Sequence, residues 1–162
     1  MKTLSEVYHQ HWNAYLVNIR RNSDIAPANP FLIVEPKDYY NKSKKVMICG
    51  QETQGWGNEF DDHPESATIE ALLNLYDGFV NFGGYNSPYW QFINSLKKAC
   101  PDVGFVCNNI VKIGKKYGSG CDDTINELSL KYFPVIHEEI SILRPDVILF
   151  LTGPKYDVRI KK

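Results

Sequence analysis

The stretch VMICGQET, residues 46–53, decides the fold. Val46 to Cys49 are apolar without interruption, so neither side of the segment is suited to water. A half-exposed strand alternates apolar and polar residues, whereas an unbroken short run is the pattern of a strand buried on both faces of a parallel sheet. Gly50 closes the run. The loop that follows, QETQGWGNEFDDHPE, is rich in polar, glycine and aromatic residues. It is much longer than the ~2–6 residues that a strand-to-helix connection needs. The carboxyl end of a buried strand is where open α/β sheets hold ligands.

The same grammar recurs further along the chain. DVILFLTGP, residues 146–154, is an apolar run closed by Thr152 and Gly153, and FVCNNIVKI, residues 105–113, is apolar except for Asn108, Asn109 and Lys112. Helices are expected between these strands. Thr3 and Glu6 have capping-box spacing, and Leu4, Val7, Tyr8, Trp12, Tyr15, Leu16 and Ile19 then recur at helical intervals up to Arg20 and Arg21. A proline-rich loop follows, in which FLIV (residues 31–34) reads as a short extended piece. Ile69, Leu72, Leu73, Tyr76, Phe79 and Val80 form a second stripe, with Ser66 as its expected cap. Ser87 and Pro88 open a third helix, which carries Tyr89, Trp90, Phe92, Ile93 and Leu96 inward. Residues 124–143 read as helix split by Pro134. Helices alternating with apolar strands predict α/β architecture: three α/β/α layers with a central parallel sheet.

Bulk properties agree with one soluble domain over residues 1–162. The chain has 162 residues, 43% hydrophobic and 23% charged, with no repeat or low-complexity tract. The amino terminus lacks the apolar segment of a secretory signal, and no run is long enough to span a bilayer, so a cytoplasmic protein without membrane association is expected. Cys49, Cys100, Cys107 and Cys121 are irregularly spaced and read as reduced thiols, two of them within buried strands. A net charge of −1 argues against holding nucleic acid by bulk electrostatics. The clusters Lys42, Lys44, Lys45 and Lys112, Lys115, Lys116 read as solvated loop charge.

In a parallel sheet the carboxyl ends of neighbouring strands lie along one rim. Residues 51–53, residues 108–112, and Thr152 with Gly153 are therefore expected to converge. These are also the segments that resemble the uracil-DNA glycosylase superfamily. CGQETQGWG is similar to the first motif of that superfamily, which reads GQDPY in one branch. Asn109-Ile110-Val111-Lys112 matches the N-x-V-K form of its asparagine-bearing strand. SPYWQFINSL resembles its aromatic helix start, and LRPDVILFLTG its following strand.

The resemblance implies a uracil-DNA glycosylase-like fold and a binding partner in DNA containing uracil or a modified base. Glu52 would take the place of the carboxylate that orients water and stabilises a cationic sugar, as glycosidic cleavage requires. Asn109 would read the base edge, since an amide offers a donor and an acceptor together. Asn108 is its rival, because adjacent strand side chains face opposite ways. Gly50, Gln51 and Thr53 would surround the base, with the backbone N–H groups of Gln51 and Glu52 holding a carbonyl oxygen. Trp56, Phe60 and Tyr85 are candidates for stacking on it, and Lys112 for a phosphate. Superfamily members add a further strand and a His-Pro loop beyond the position of Gly153. This sequence stops at Lys162 before either, and His137, inside an expected helix, is no substitute. The reading therefore expects a shortened product, or weakened or lost catalysis.

Other motifs fail. His9 and His11 point to different helix faces, HEEIS lacks the second histidine of a zinc protease, and no phosphate-binding glycine loop is present. The acidic loop DDH, residues 61–63, reads as solvated, and the cysteine spacing does not fit an iron–sulfur site. No metal and no cofactor are expected. Two functions remain: a hydrolase of the N-glycosidic bond of uracil or a related damaged base, and an inactive module binding a nucleobase, nucleotide or protein on the same fold. An unrelated flavodoxin-like domain is a third reading of the same element order.

Overall fold

The computed structural model of the chain describes residues 2–22, 24–118, 120 and 122–160. Three strands form one open parallel sheet: β1 (Lys44–Gly50), β2 (Val103–Asn109) and β3 (Val147–Phe150), in the order β2-β1-β3. The apolar run at residues 46–49 thus becomes the central strand. The register pairs Gly50 with Asn109 and Cys49 with Phe150, which places all three carboxyl ends along one edge.

Side chains of β1 alternate between two apolar clusters. Met47 and Cys49 join a large cluster with Val7, Tyr8, Tyr15, Leu72, Tyr76 and Leu143, while Ile48 joins a smaller one with Trp90, Ile93 and Cys107. Both faces of the central strand are therefore covered, so a polar residue at 46–49 would have had no water to face. Such an all-apolar run gains ~25 cal/mol for each Å² of apolar surface removed from water. β3 differs. Val147 is 53% and Phe150 37% exposed, so among the described residues its faces are covered less completely than those of β1. DVILFL thus reads in sequence as more buried than it is.

Helix α1 (Leu4–Tyr15) opens on the expected capping box, with Thr3 accepting from the Glu6 N–H and the Glu6 carboxylate accepting from the Thr3 N–H. It continues as a π-turn over Leu16–Arg20, from which Arg20 donates to the Ala67 carbonyl at 3.2 Å. Helix α2 (Ile69–Asn81) is capped by Thr68 rather than Ser66. The Thr68 hydroxyl accepts from the Ala71 N–H, whereas Ser66 ends a separate turn at Pro64–Ser66. Helix α3 (Pro88–Ala99) starts on Ser87 as expected, but Phe92 is 47% exposed. Its neighbours Trp90 and Ile93 take the inward face instead. Pro134 divides the next helical stretch into α4 (Asp123–Tyr132) and α5 (Ile136–Leu143), and a single-turn α6 (Asp157–Ile160) follows β3.

Residues 31–33 are fully buried yet lie in no strand. The Phe31 N–H donates to the Lys112 carbonyl at 2.8 Å, which holds this segment against the end of β2. Cys49 and Cys107 are buried free thiols and Cys100 is half-buried, while Cys121 lies outside the described residues. Burial pushes the Cys107 thiol up to about 11 and Cys49 up to about 12, so both stay protonated at neutral pH. No helix among the described residues is long and apolar enough to cross a membrane.

Candidate functional site

β1 and β2 end side by side. A cavity of about 660 Å³ opens at that point, lined by residues 50–54, by Asn108 and Asn109 from β2, by Leu151 after β3, and by Phe31, Phe79, Tyr85, Tyr89 and Trp90. Its volume falls in the ~300–1,000 Å³ range of small-molecule sites, and its chemistry follows their usual plan of aromatic walls with few polar groups.

Gly50 makes the centre of the site possible. A methyl group built there would lie 2.6 Å from Asn109 Oδ1 and 3.0 Å from the Tyr89 hydroxyl. The amide and the phenol thus converge over a bare backbone. Neither the Asn109 side chain nor the Tyr89 hydroxyl makes a hydrogen bond to another described residue. A buried amide normally finds a partner, so this pair is available to whatever enters the cavity. Burial raises the Tyr89 phenol above its ordinary range, which keeps its proton in place as a donor.

The loop after β1 adds a row of donors. The Gly50 and Gln51 carbonyls are taken by the N–H groups of Ile110 and Val111, at 3.1 and 3.0 Å. The N–H groups of residues 51–54 donate to no other described residue. Consecutive amides without a partner among the described residues suit an oxygen atom or an anion that reaches them. The Gln51 side chain is engaged elsewhere, its Nε2 donating to the Thr152 carbonyl at 2.6 Å and tying the ends of β1 and β3 together. Thr152 is buried and Gly153 turns the chain at φ 76°, so both shape the rim without lining the cavity. Glu52 stands in the wall and accepts a hydrogen bond from the Tyr156 hydroxyl.

The two asparagines divide as strand alternation requires. Asn108 turns into a buried polar cluster, where its Nδ2 donates to Glu139 Oε2 at 2.9 Å and its Oδ1 accepts from Lys112 Nζ at 2.7 Å and from the Asn109 N–H at 2.8 Å. Lys112 is not a solvated loop charge or a phosphate ligand. It is 4% exposed and paired with the fully buried Glu139 at 2.8 Å. Burial pulls the Lys112 ammonium below the ordinary lysine range, and Glu139 opposes the shift. The reason is topological: β2 ends at Asn109, so Lys112 lies on a segment that turns back over the core.

Trp56 is buried, packed edge-on to Phe31 at 4.9 Å and to Phe79 at 5.4 Å, so its ring is wall more than free stacking surface. Tyr85, 70% exposed, stands at the mouth against Phe79. Phe60 lies outside, in a separate groove with Lys116, and Asp61 is held by Lys116 at 3.4 Å.

The site therefore unites Gly50, Gln51, Glu52, Thr53, Trp56 and Asn109, with Asn108 behind it, and leaves out the side chain of Lys112. Sequence reasoning missed Tyr89, Phe31, Tyr156 and Glu139. Glu139 carried a readable signal, since Ile136, Glu139, Ile140 and Leu143 occupy one helical stripe and a carboxylate within an apolar stripe must find a buried partner.

The fold and site define a mixed α/β protein with a ligand-sized cavity at the strand ends. Comparison with protein families, with curated proteins and with solved structures found no match for the chain.

Proposed function

We propose that the cavity binds the edge of a planar nucleobase of the uracil type, presented by DNA, on a three-layer fold of the uracil-DNA glycosylase kind. The observation that carries this reading is the unengaged Asn109 amide meeting the Tyr89 hydroxyl over Gly50, inside aromatic walls. A uracil edge offers two carbonyl oxygens and an N–H between them. Asn109 complements a carbonyl with its NH₂ and the N–H with its oxygen, and the free N–H groups of residues 51–54 complement the second carbonyl.

On this reading Glu52, which lines the cavity, is the carboxylate that orients water and offsets positive charge on the sugar as the glycosidic bond breaks. Incubation with single- and double-stranded oligonucleotides containing uracil, followed by alkali, tests this step. Strand breaks that the Glu52→Gln variant does not produce support hydrolysis, and equal yields from both proteins count against it.

One observation favours binding without hydrolysis. Glu52 already accepts a hydrogen bond from the Tyr156 hydroxyl, which occupies a carboxylate oxygen that a water would otherwise meet. On this second reading the oligonucleotide is bound and left intact. The same incubation, run with a binding measurement, separates the two.

A further inference from the structure

Beside the cavity lies a buried polar cluster, of which Asn108 also lines the cavity while Lys112 and Glu139 do not. Lys112 Nζ donates to Glu139 Oε2 at 3.1 Å and to Asn108 Oδ1 at 2.7 Å, and it lies 2.8 Å from Glu139 Oε1 in an ion pair. Glu139 Oε1 also accepts from the Tyr8 hydroxyl at 2.7 Å, and the Tyr8 oxygen accepts from the Ile33 N–H at 3.1 Å. Four parts of the chain meet here: α1, the extended segment at residues 31–33, the end of β2, and α5.

For stability alone this is a poor design. Moving an ion pair out of water costs several kcal/mol per ion, and apolar residues of similar volume often serve as well or better. Hydrogen-bonded charge does what apolar packing does not: it fixes angles. Two of its links run directly into the cavity. The Asn108 oxygen that Lys112 holds is the one that accepts the Asn109 N–H, so it sets the backbone from which the free amide projects. The Lys112 carbonyl accepts from the Phe31 N–H at 2.8 Å and its ammonium lies 5.6 Å from the Phe31 ring centroid, so it sets an aromatic wall.

We propose that Lys112, Glu139 and Asn108 are the positioning residues of the cavity, holding the Asn109 amide and the Phe31 ring in the geometry that a ligand meets. The ligand arm of the test rests on the nucleobase reading above, and the exchange arm does not.

The exchange arm uses ¹⁵N-labelled protein in D₂O. In wild type the Asn109 amide is expected to be protected. In Asn108→Leu, which leaves the Lys112–Glu139 pair intact, it is expected to exchange about tenfold faster, while Ile110 and Val111, bonded to the Gly50 and Gln51 carbonyls, keep their protection. The double variant Lys112→Met, Glu139→Gln removes both charges at similar volume. It carries the same expectation and stands in if Asn108→Leu does not fold. An unprotected Asn109 amide in wild type, or unchanged exchange in the folded variants, overturns the proposal.

The ligand arm titrates uracil into wild type and the double variant. Affinity is expected to fall about tenfold in a variant that still melts cooperatively, and equal affinity overturns the proposal. If wild type does not bind uracil, the nucleobase reading fails and the exchange arm alone decides.

Discussion

Placing a methyl group on Gly50 separates stability from recognition. In Gly50→Ala the new Cβ would sit 2.6 Å from Asn109 Oδ1, where ordinary contact begins near 3.4 Å, so the amide oxygen must retreat by roughly 0.8 Å or rotate away. Gly50 is not among the glycines with positive φ, so alanine takes its backbone without strain. Reduced chain freedom in the unfolded state favours the variant by ~0.4–1 kcal/mol, and overpacking opposes this by ~1–3 kcal/mol. Stability should therefore fall by no more than about 2.6 kcal/mol, leaving a folded protein. Recognition should suffer more. Misaligning an amide that pairs with a buried ligand edge costs ~1–3 kcal/mol, or roughly 5- to 150-fold in affinity. Thermal melting alongside a uracil titration measures both. A stable variant that binds uracil as tightly as wild type would refute the placement of the ligand against Asn109.

Three other perturbations follow from the geometry. Gly84 has φ +72°, and a Cβ there would lie 2.1 Å from the Trp90 ring, so Gly84→Ala should lose about 2–5 kcal/mol and melt well below wild type. An unchanged melting temperature would show that the α2–α3 turn packs differently. Lys112→Met leaves Glu139 without its cation and should cost ~3–5 kcal/mol in denaturant titration. Adding Glu139→Gln should recover part of that loss, and a single variant as stable as wild type would contradict the pairing. At alkaline pH the buried phenols of Tyr8, Tyr15 and Tyr76 are held above their ordinary range by burial, so the folded state keeps protons that the unfolded chain releases above pH ~10. Their contribution is fully present below that pH and is lost above it at about 4 kcal/mol per pH unit for the three together. Lys112, shifted downward, adds stability as pH rises toward the ordinary lysine range, but one group offsets only about a third of the loss from three phenols, so the decline should still begin near pH ~10. Equilibrium unfolding from pH 9 to 12 reads this, and a flat profile would contradict the burial of the phenols.

Much of the architecture was legible because one face or both faces of an element had a simple solvent. The run at residues 46–49 has two dry faces and reads as a central strand; the capping box at Thr3 and Glu6 is a local hydrogen-bond pattern that needs no tertiary knowledge. What was not legible depends on contacts between distant segments. Lys112 reads as a loop cation until Glu139, 27 positions away, is brought against it by α5. Ser66 and Thr68 are equivalent caps on paper, and only the preceding turn at Pro64–Ser66 decides between them. The candidate site was half readable: Gly50, Glu52 and Asn109 lie at strand ends, where register aligns them. Tyr89 and Phe31 reach the cavity from a helix and an irregular segment whose approach no periodicity encodes.

The central claim is that a uracil-type base is held by Asn109 at the ends of β1 and β2. It is tested most directly by ¹H–¹⁵N spectra of the labelled protein during titration with a uracil-containing oligonucleotide. The account predicts saturable shifts of the Asn109 side-chain NH₂ and of the backbone amides of residues 51–54, with little change in the same titration using a cytosine-containing oligonucleotide. Absence of shifts at Asn109, or equal shifts with both oligonucleotides, would contradict it.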